Sequence, residues 1–131
     1  MTDPLNATTH MRKAERALAT ARLAFNAGDS DGTCNRAYYA MYDAAHAALH
    51  AVGAEMPGQP IKSHSGLVGL FGQRLVLRGH LDAAHGVAFN TVLTLRMVAD
   101  YQGGPVSIDK AAQAVEFAEA FVAAIKEKFS L

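Results

Sequence analysis

The clearest feature of the sequence is the separation of apolar from polar side chains over residues 35–50, NRAYYAMYDAAHAALH. At the helical period of about 3.6 residues per turn, these residues fall onto two faces. The apolar face carries Cys34, Tyr38, Met41, Tyr42, Ala45, Ala48, Leu49 and Val52, whereas the polar face carries Arg36, Tyr39, Asp43, His46 and His50. A solvated helix face usually carries Lys and Glu rather than Tyr and His. The pattern therefore predicts a central helix with one core face and one partly buried polar seam, which is the candidate functional region.

Apolar residues at spacings of three and four predict further helices on both sides of this one. The first begins at Thr8 or Thr9 and ends at about Ala27, a shorter one covers about His64–Leu77, the next covers about Leu81–Tyr101, and the last begins after Ser107. Residues 53–63 contain two prolines and two glycines and are predicted to be a loop. No stretch of the sequence alternates as a strand does. The predicted fold is all-α, an antiparallel four- to five-helix bundle that forms a single domain over residues 1–131.

Composition and charge restrict the function in a few respects. The chain has 131 residues, with 12 basic and 12 acidic side chains, so a general electrostatic attraction to nucleic acid is not indicated, although a local basic patch is compatible with this balance. The sequence contains no apolar run of the roughly 20 residues that a membrane span needs and no signal-peptide core, which favours the cytoplasm. The one cysteine, Cys34, falls on the apolar face and is predicted to be a buried thiol.

Several side chains outside the apolar stripes are candidates for chemistry. His46 and His50 are four residues apart on the polar face, but the sequence supplies no third ligand, so neither a metal nor a cofactor is expected. His64 follows Lys62 at a helix start, where it can meet an anion. Arg96 and Asp100 are four apart and are expected to pair at the edge of the core. No Walker or GxSxG pattern is present.

Three blocks, NRAYYAMYDAAHAAL, HSGLVGLFGQRLV and LRMVADY, follow one another in an order and spacing that resemble the HEPN superfamily. These are small helical domains named for nucleotide binding in prokaryotes and higher eukaryotes. The resemblance covers about residues 10–128 and best matches the compact, single-domain prokaryotic branch. Its most specific residues are Asn35, Arg36, Tyr38 and Tyr39 in the first block and Arg96, Ala99, Asp100 and Tyr101 in the last.

This resemblance implies a helical bundle that dimerises, and a minimal nucleotidyltransferase as a partner, in some cases within a toxin–antitoxin pair. It also implies that some relatives are metal-independent ribonucleases with an Arg-x(4–6)-His motif, in which the Arg stabilises phosphate charge and the His assists proton transfer. Here no His follows Arg96 at that distance, and Tyr101 occupies the position. A tyrosine, with an ordinary pKa of about 10, is a poor base at neutral pH.

Three interpretations remain open from the sequence. The first is a regulatory and binding module that partners a minimal nucleotidyltransferase and binds nucleotide or RNA. Its candidate ligand-binding residues are Arg36, Tyr39, Asp43, His46, His64 and Asp100. The second is a ribonuclease toxin that uses Arg96 with Tyr101, His85 or His46 as its partner. The third is an interaction protein whose polar seam is only a dimer contact.

A homodimer is expected in addition, with the second and fourth helices lining a shared cleft. The seam on the second helix and the side of the fourth helix that carries His85, Phe89, Arg96 and Asp100 are expected to exceed what one subunit can bury. A two-fold axis would also bring two Arg96 side chains near each other, which suits a ligand that carries phosphate.

Overall fold

Most of the helices begin at a polar side chain that accepts a hydrogen bond from the first turn of the helix. The computed structural model describes residues 6–54, 63–101 and 103–131. The caps and the N–H groups that they accept are Asn6 with Thr9, Asp29 with Gly32, Ser63 with Gly66, and Ser107 with Lys110. Asp82 accepts the N–H of Ala84 in the same manner before the fourth helix. These contacts satisfy N–H groups that lack a partner inside the helix.

The described residues form five α-helices and no strand. They are α1 (Ala7–Asn26), α2 (Ser30–Ala51), α3 (His64–Phe71), α4 (Ala83–Tyr101) and α5 (Ile108–Phe129). A π-helical turn, Gly72–Val76, continues α3 toward the connection to α4. This arrangement confirms the predicted all-α bundle with a short third helix.

The centre of the bundle is α2, which contacts each of the other helices. Its core face is completely inaccessible to solvent at Cys34, Tyr38, Met41, Ala45, Ala48 and Leu49, as the periodicity predicted. Alanine is frequent along α2, and most of these small side chains are buried. The second part of the core is aromatic, since Phe71, Phe89 and Phe121 join α3, α4 and α5 with ring centroids 5.0–5.6 Å apart.

The positions of α1 and α4 relative to α2 determine where the functional side chains lie. Both helices pack on α2 and on α5, but within the described residues they do not contact each other. They therefore lie on opposite sides of α2. The segment before α5 is fastened to the start of α2, because the Val106 N–H donates a hydrogen bond of 2.8 Å to Asp31 Oδ1.

Some predicted helix ends differ from the observed ones. The first helix is capped by Asn6 rather than by Thr8 or Thr9, and Gly28, at φ +79°, follows its C-terminal end as a left-handed residue. The third helix was predicted as one α-helix up to Leu77, but its second half is the π-helical turn. The predicted loop over 53–63 lies mostly outside the described residues.

Candidate functional site

Arg96 occupies a buried position on α4, against two tyrosine rings of α2. The residue is 8% exposed, and its guanidinium carbon lies 5.2 Å from the centre of the Tyr38 ring and 5.7 Å from that of Tyr39. These are cation–π distances. Nη1 of Arg96 also donates to the Tyr39 hydroxyl and to Asp100 Oδ2, each at 3.3 Å. Nε of Arg96 is buried and has no hydrogen-bond partner among the described residues.

A second cationic residue, Arg36, also lies against Tyr39. The guanidinium carbon of Arg36 lies 5.0 Å from the centre of the Tyr39 ring, so two guanidinium groups lie against this ring. Arg36 donates two hydrogen bonds to the side-chain oxygen of Asn35, and Asn35 in turn donates to Asp100 at 3.4–3.5 Å. Asp100 therefore pairs directly with Arg96 and is linked to Arg36 through Asn35, so this cluster holds two arginines and one carboxylate.

His64, the first residue of α3, lies against the same tyrosines. Its Nδ1 atom is 2.7 Å from the Tyr38 hydroxyl, and its ring centroid is 5.3 Å from that of Tyr38 and 6.1 Å from that of Tyr39. Ser63 caps α3 and so fixes the start of the helix that carries His64. We call the whole cluster the arginine–tyrosine site; its members are Asn35, Arg36, Tyr38, Tyr39, His64, Arg96 and Asp100.

The surroundings shift the proton equilibria of two groups in this site. Burial raises the pKa of the Tyr38 hydroxyl, an effect that the positive charge of Arg96 only partly offsets. Burial, and then the charge of Arg96, lower the pKa of His64 below its ordinary value. Both groups are therefore neutral at pH 7, and the charge of the site comes from its arginines and from Asp100.

The seam predicted on α2 is partly buried, as expected, but it belongs to two clusters rather than one. Arg36 and Tyr39 face α4, whereas Asp43 and His46, which are 8% and 7% exposed, face α1. Asp43 Oδ1 lies 3.9 Å from Nζ of Lys13, and the ring of His10 stacks with the rings of His46 and His50 at 5.2 and 5.0 Å. Asp43 and His46 are therefore not brought to Arg96, because α1 and α4 cover different parts of the seam.

Tyr42 is the link between the two clusters. Its ring lies 4.6 Å from that of His46 and 5.6 Å from that of His64. The sequence placed Tyr42 on the core face, but it is only partly buried.

The residues named from sequence as partners of Arg96 lie elsewhere. Tyr101, at the end of α4, is 74% exposed, and no hydrogen bond or ring contact within the described part of the chain joins it to Arg96. His85 lies against the core residue Phe121, with ring centroids 6.2 Å apart. The histidine that shares two tyrosines with Arg96 is His64.

Two members of the site carry roles that the sequence did not assign. Tyr38 was placed among core residues, and it is indeed completely buried, but its hydroxyl reaches His64. The sequence did contain a clue to this role. A buried tyrosine hydroxyl needs a hydrogen-bond partner, and the apolar residues on the core face of α2 do not supply one. Asn35 connects Arg36 with Asp100 through hydrogen bonds. This link could not be predicted from the sequence, because it depends on where α4 packs against α2.

The arrangement is suited to an anion with a flat group attached. Arginine side chains pair with phosphate oxygens, and tyrosine rings stack with bases. Among the described residues, no group of three or more His, Cys, Asp or Glu side chains is arranged to hold a metal ion. No described helix is both long enough and apolar enough to cross a bilayer.

The fold and the site together define an all-α bundle that carries a buried cationic and aromatic cluster between its second and fourth helices. The HEPN domain family model matches residues 7–128, and the chain belongs to this family. It is 36% identical over 93 residues to a UPF0332 protein of Gloeobacter violaceus, a match that covers 71% of this chain and 70% of that protein. It is 29% identical over 114 residues to a protein of Methanocaldococcus jannaschii named "Putative toxin MJ0605", covering 87% of this chain and 81% of the other.

Proposed function

We propose that this chain is a HEPN-type regulatory and binding module whose arginine–tyrosine site recognises a phosphate-bearing ligand, either a nucleotide or RNA. The observation that carries the proposal is the environment of Arg96. Its guanidinium is buried against two aromatic rings, its Nε has no partner in the described residues, and its carboxylate neighbour Asp100 also bonds Asn35. A buried cation whose hydrogen-bonding capacity is incompletely used favours an anionic ligand.

The ligand would meet charge and stacking surface together. Arg36 and Arg96 both lie against Tyr39, so phosphate oxygens can pair with the guanidinium groups while a base packs beside the partly exposed tyrosine. The whole protein has no net charge, so the attraction is local rather than general. The affinity for the ligand should accordingly fall as the salt concentration rises, with the slope expected for one or two phosphate contacts.

Titration calorimetry with mononucleotides and short RNA oligonucleotides tests this proposal. Arg96→Met retains most of the side-chain volume and should abolish binding, and Arg36→Gln should weaken it. Arg22→Gln is the matched control, because Arg22 forms an exposed ion pair with Glu119 on the α1–α5 side. No binding by the parent protein, or equal binding by all four proteins, would refute the proposal.

The partner that we propose is a minimal nucleotidyltransferase in a toxin–antitoxin-type pair. Two findings support this: the family to which the chain belongs, and the similarity to a protein that bears the word toxin in its name. Co-expression with the product of the neighbouring gene, followed by purification through a tag on one protein, tests the partnership. A neighbouring gene of another class, together with no co-purifying protein, would rule it out.

A homodimer is also part of the proposal. On the sides of α2 and α4 that were expected to exceed what one subunit can bury, Phe89 and Arg96 are buried without a second chain. Arg36 and Tyr39 are only partly buried, and Asp100 is exposed. Further support comes from another side of α4, which is exposed. A stripe without charge runs along it at spacings of four and three: Ala83, Val87, Asn90, Thr94, Met97 and Tyr101, all exposed. Such heptad-like spacing is typical of a helix that packs against another helix.

A second candidate function is a metal-independent ribonuclease, and the position of His64 favours it. Arg96 and His64 are far apart in sequence but contact the same tyrosine rings, so a phosphate-stabilising group and a proton-carrying group meet in one site. Expression of the chain in a host cell discriminates between the two functions. Growth arrest with RNA decay, lost in both Arg96→Ala and His64→Gln, would establish the ribonuclease, whereas normal growth and intact RNA would exclude it.

A further inference from the structure

The contact between Tyr38 and His64 determines which nitrogen of His64 can meet a ligand. Tyr38 is completely buried, and its hydroxyl lies 2.7 Å from Nδ1 of His64. His64 itself is only partly buried. On an imidazole ring Nε2 lies on the side away from Nδ1, and no described residue forms a hydrogen bond with Nε2 of His64. Within the described residues, the ring is thus held to α2 at one nitrogen, and no hydrogen bond occupies the other.

The direction of this hydrogen bond follows from the charges around it. Burial raises the pKa of Tyr38, so its hydroxyl keeps its proton, and burial together with Arg96 lowers the pKa of His64, so its ring is neutral. A neutral imidazole has one N–H donor and one acceptor nitrogen. If Nδ1 carried the proton, the Tyr38 O–H would be left buried without an acceptor among the described residues, which is unfavourable. The Tyr38 hydroxyl is therefore the donor and Nδ1 the acceptor.

The other groups around His64 favour the same state. From α2 its neighbours are Tyr38, Tyr39 and Tyr42, with ring centroids 5.3–6.1 Å from its own. From α4 the charge that acts on it is that of Arg96, which is only partly compensated by Asp100. Arg36 adds a second positive charge beside Tyr39. No carboxylate of the described residues contacts the ring, and burial together with Arg96 disfavours its protonated form, so the ring stays neutral with its one proton on Nε2.

The structure assigns a positioning role to Tyr38: it holds His64 as the neutral tautomer with the proton on Nε2, which donates a hydrogen bond to the phosphate group that Arg96 binds. This inference rests on the proposed function for the identity of the ligand, but the tautomer belongs to the free protein. This tautomer has a chemical consequence. A general base needs an available lone pair, and here Nδ1 accepts from Tyr38 while Nε2 is protonated. In this state His64 donates a hydrogen bond to phosphate and does not act as a general base toward a ribose hydroxyl.

Nitrogen-15 NMR of the histidine rings in the full chain tests the tautomer directly, because a protonated and an unprotonated ring nitrogen have distinct chemical shifts. At pH 7.5, without ligand, His64 should show a protonated Nε2 and an unprotonated Nδ1. Tyr38→Phe should convert this single state into a mixture of tautomers. Tyr42→Phe is the matched control, since the Tyr42 ring also lies against His64, and the variant should leave the tautomer unchanged. A proton on Nδ1 of the parent protein would overturn the inference, even if Tyr38→Phe failed to fold.

Binding of inorganic phosphate, measured by NMR titration of the same proteins, tests the ligand. Addition of phosphate should shift the Nε2 resonance of His64 in the parent, and Tyr38→Phe should bind phosphate roughly tenfold more weakly, as expected when one hydrogen bond to a charged group is misdirected. Equal phosphate affinity in the parent and in Tyr38→Phe would refute the positioning role. If the tautomer is as stated but phosphate binds nowhere in the site, the proposed function fails and the tautomer assignment stands.

Discussion

Arg96 and Tyr38 are stacked across the contact between α4 and α2, with the guanidinium carbon of Arg96 5.2 Å from the centre of the tyrosine ring. The ring is completely buried, so the cation lies at the edge of the core rather than in open solvent. A desolvated cation–π contact is worth about 2 kcal/mol, against about 0.5–1 kcal/mol for an exposed one. Arg96 therefore contributes to the packing of α4 on α2 as well as to the charge of the site.

We expect Arg96→Ala to lower the free energy of unfolding by about 1–3 kcal/mol, because it removes this contact and the bonds to Tyr39 and Asp100. Urea unfolding followed by circular dichroism measures the change. Arg22→Ala, which removes an exposed ion pair with Glu119, should lower it by less than about 1 kcal/mol. Equal losses in the two variants would show that Arg96 does not support the fold.

Met41→Asp should prevent folding. Met41 is completely buried on α2, and an aspartate there would be a charge without a partner in the core. The penalty, several kcal/mol, is comparable with the about 5–15 kcal/mol that stabilise a typical domain. Leu23→Asp on α1 is the control, since Leu23 is 70% exposed and its replacement should be tolerated. A cooperative thermal transition in Met41→Asp that matches the parent would mean that the core face of α2 is assigned incorrectly.

Asp43 should make stability depend on pH in a particular direction. Burial raises the pKa of its carboxyl, and the charges of Lys13, His46 and Arg36 offset this only in part. The folded chain thus holds the proton more readily than the unfolded chain. The protonated carboxyl stabilises the folded chain, and this contribution is fully present below the ordinary carboxyl pKa of 3.8. It is lost as the pH rises through the higher pKa of Asp43 in the folded chain.

Asp43→Asn mimics the protonated carboxyl and should therefore raise Tm at pH 7 by about 2–8 °C, the shift that 1 kcal/mol produces in domains of roughly this size. The difference between variant and parent should shrink toward pH 4. Thermal melts of both proteins from pH 4 to 8 measure it. A lower Tm for the variant at pH 7 would show that the pair with Lys13 outweighs the desolvation of the carboxylate.

Cys34 should be unreactive in the folded protein. The residue is completely buried, and this burial, with a smaller effect from the charge of Asp31, raises the pKa of its thiol to about 11. The thiolate is the reactive form, so its concentration at pH 8 is very low. A chromogenic disulfide reagent should label no thiol at pH 8 without denaturant and one thiol per chain in urea. Rapid labelling of the folded protein would contradict the buried position.

Met97→Glu should convert the proposed dimer into a monomer. Met97 is 49% exposed in the middle of the uncharged stripe on α4, and a two-fold axis along this stripe would place two carboxylates close together. Leu77→Glu is the control, because Leu77 is 81% exposed outside the stripe. Light scattering at micromolar concentration gives the mass of each protein. A parent protein with a monomer mass, at moderate salt and without a partner, would refute the dimer.

The sequence predicted the helices well because their signals are local. Capping side chains such as Ser63 and Ser107 and the three-four apolar spacing depend only on neighbouring residues. The division of the α2 seam between α4 and α1 was not predictable in the same way. A helical wheel tells which side chains share a face, but not which other helix covers each part of that face. His64 illustrates this, since its place beside Arg96 depends on how α3 sits on the bundle.

The site is assembled late in folding, because its members come from three separated stretches of the chain: Asn35–Tyr39, His64 and Arg96–Asp100. During synthesis the first stretch leaves the ribosome long before the last, and Arg96 meets its tyrosines only when α4 docks on α2. A nascent or partly folded chain therefore has no complete phosphate site. If the proposed function holds, an incomplete chain does not bind the ligand, and binding begins only when the bundle is finished.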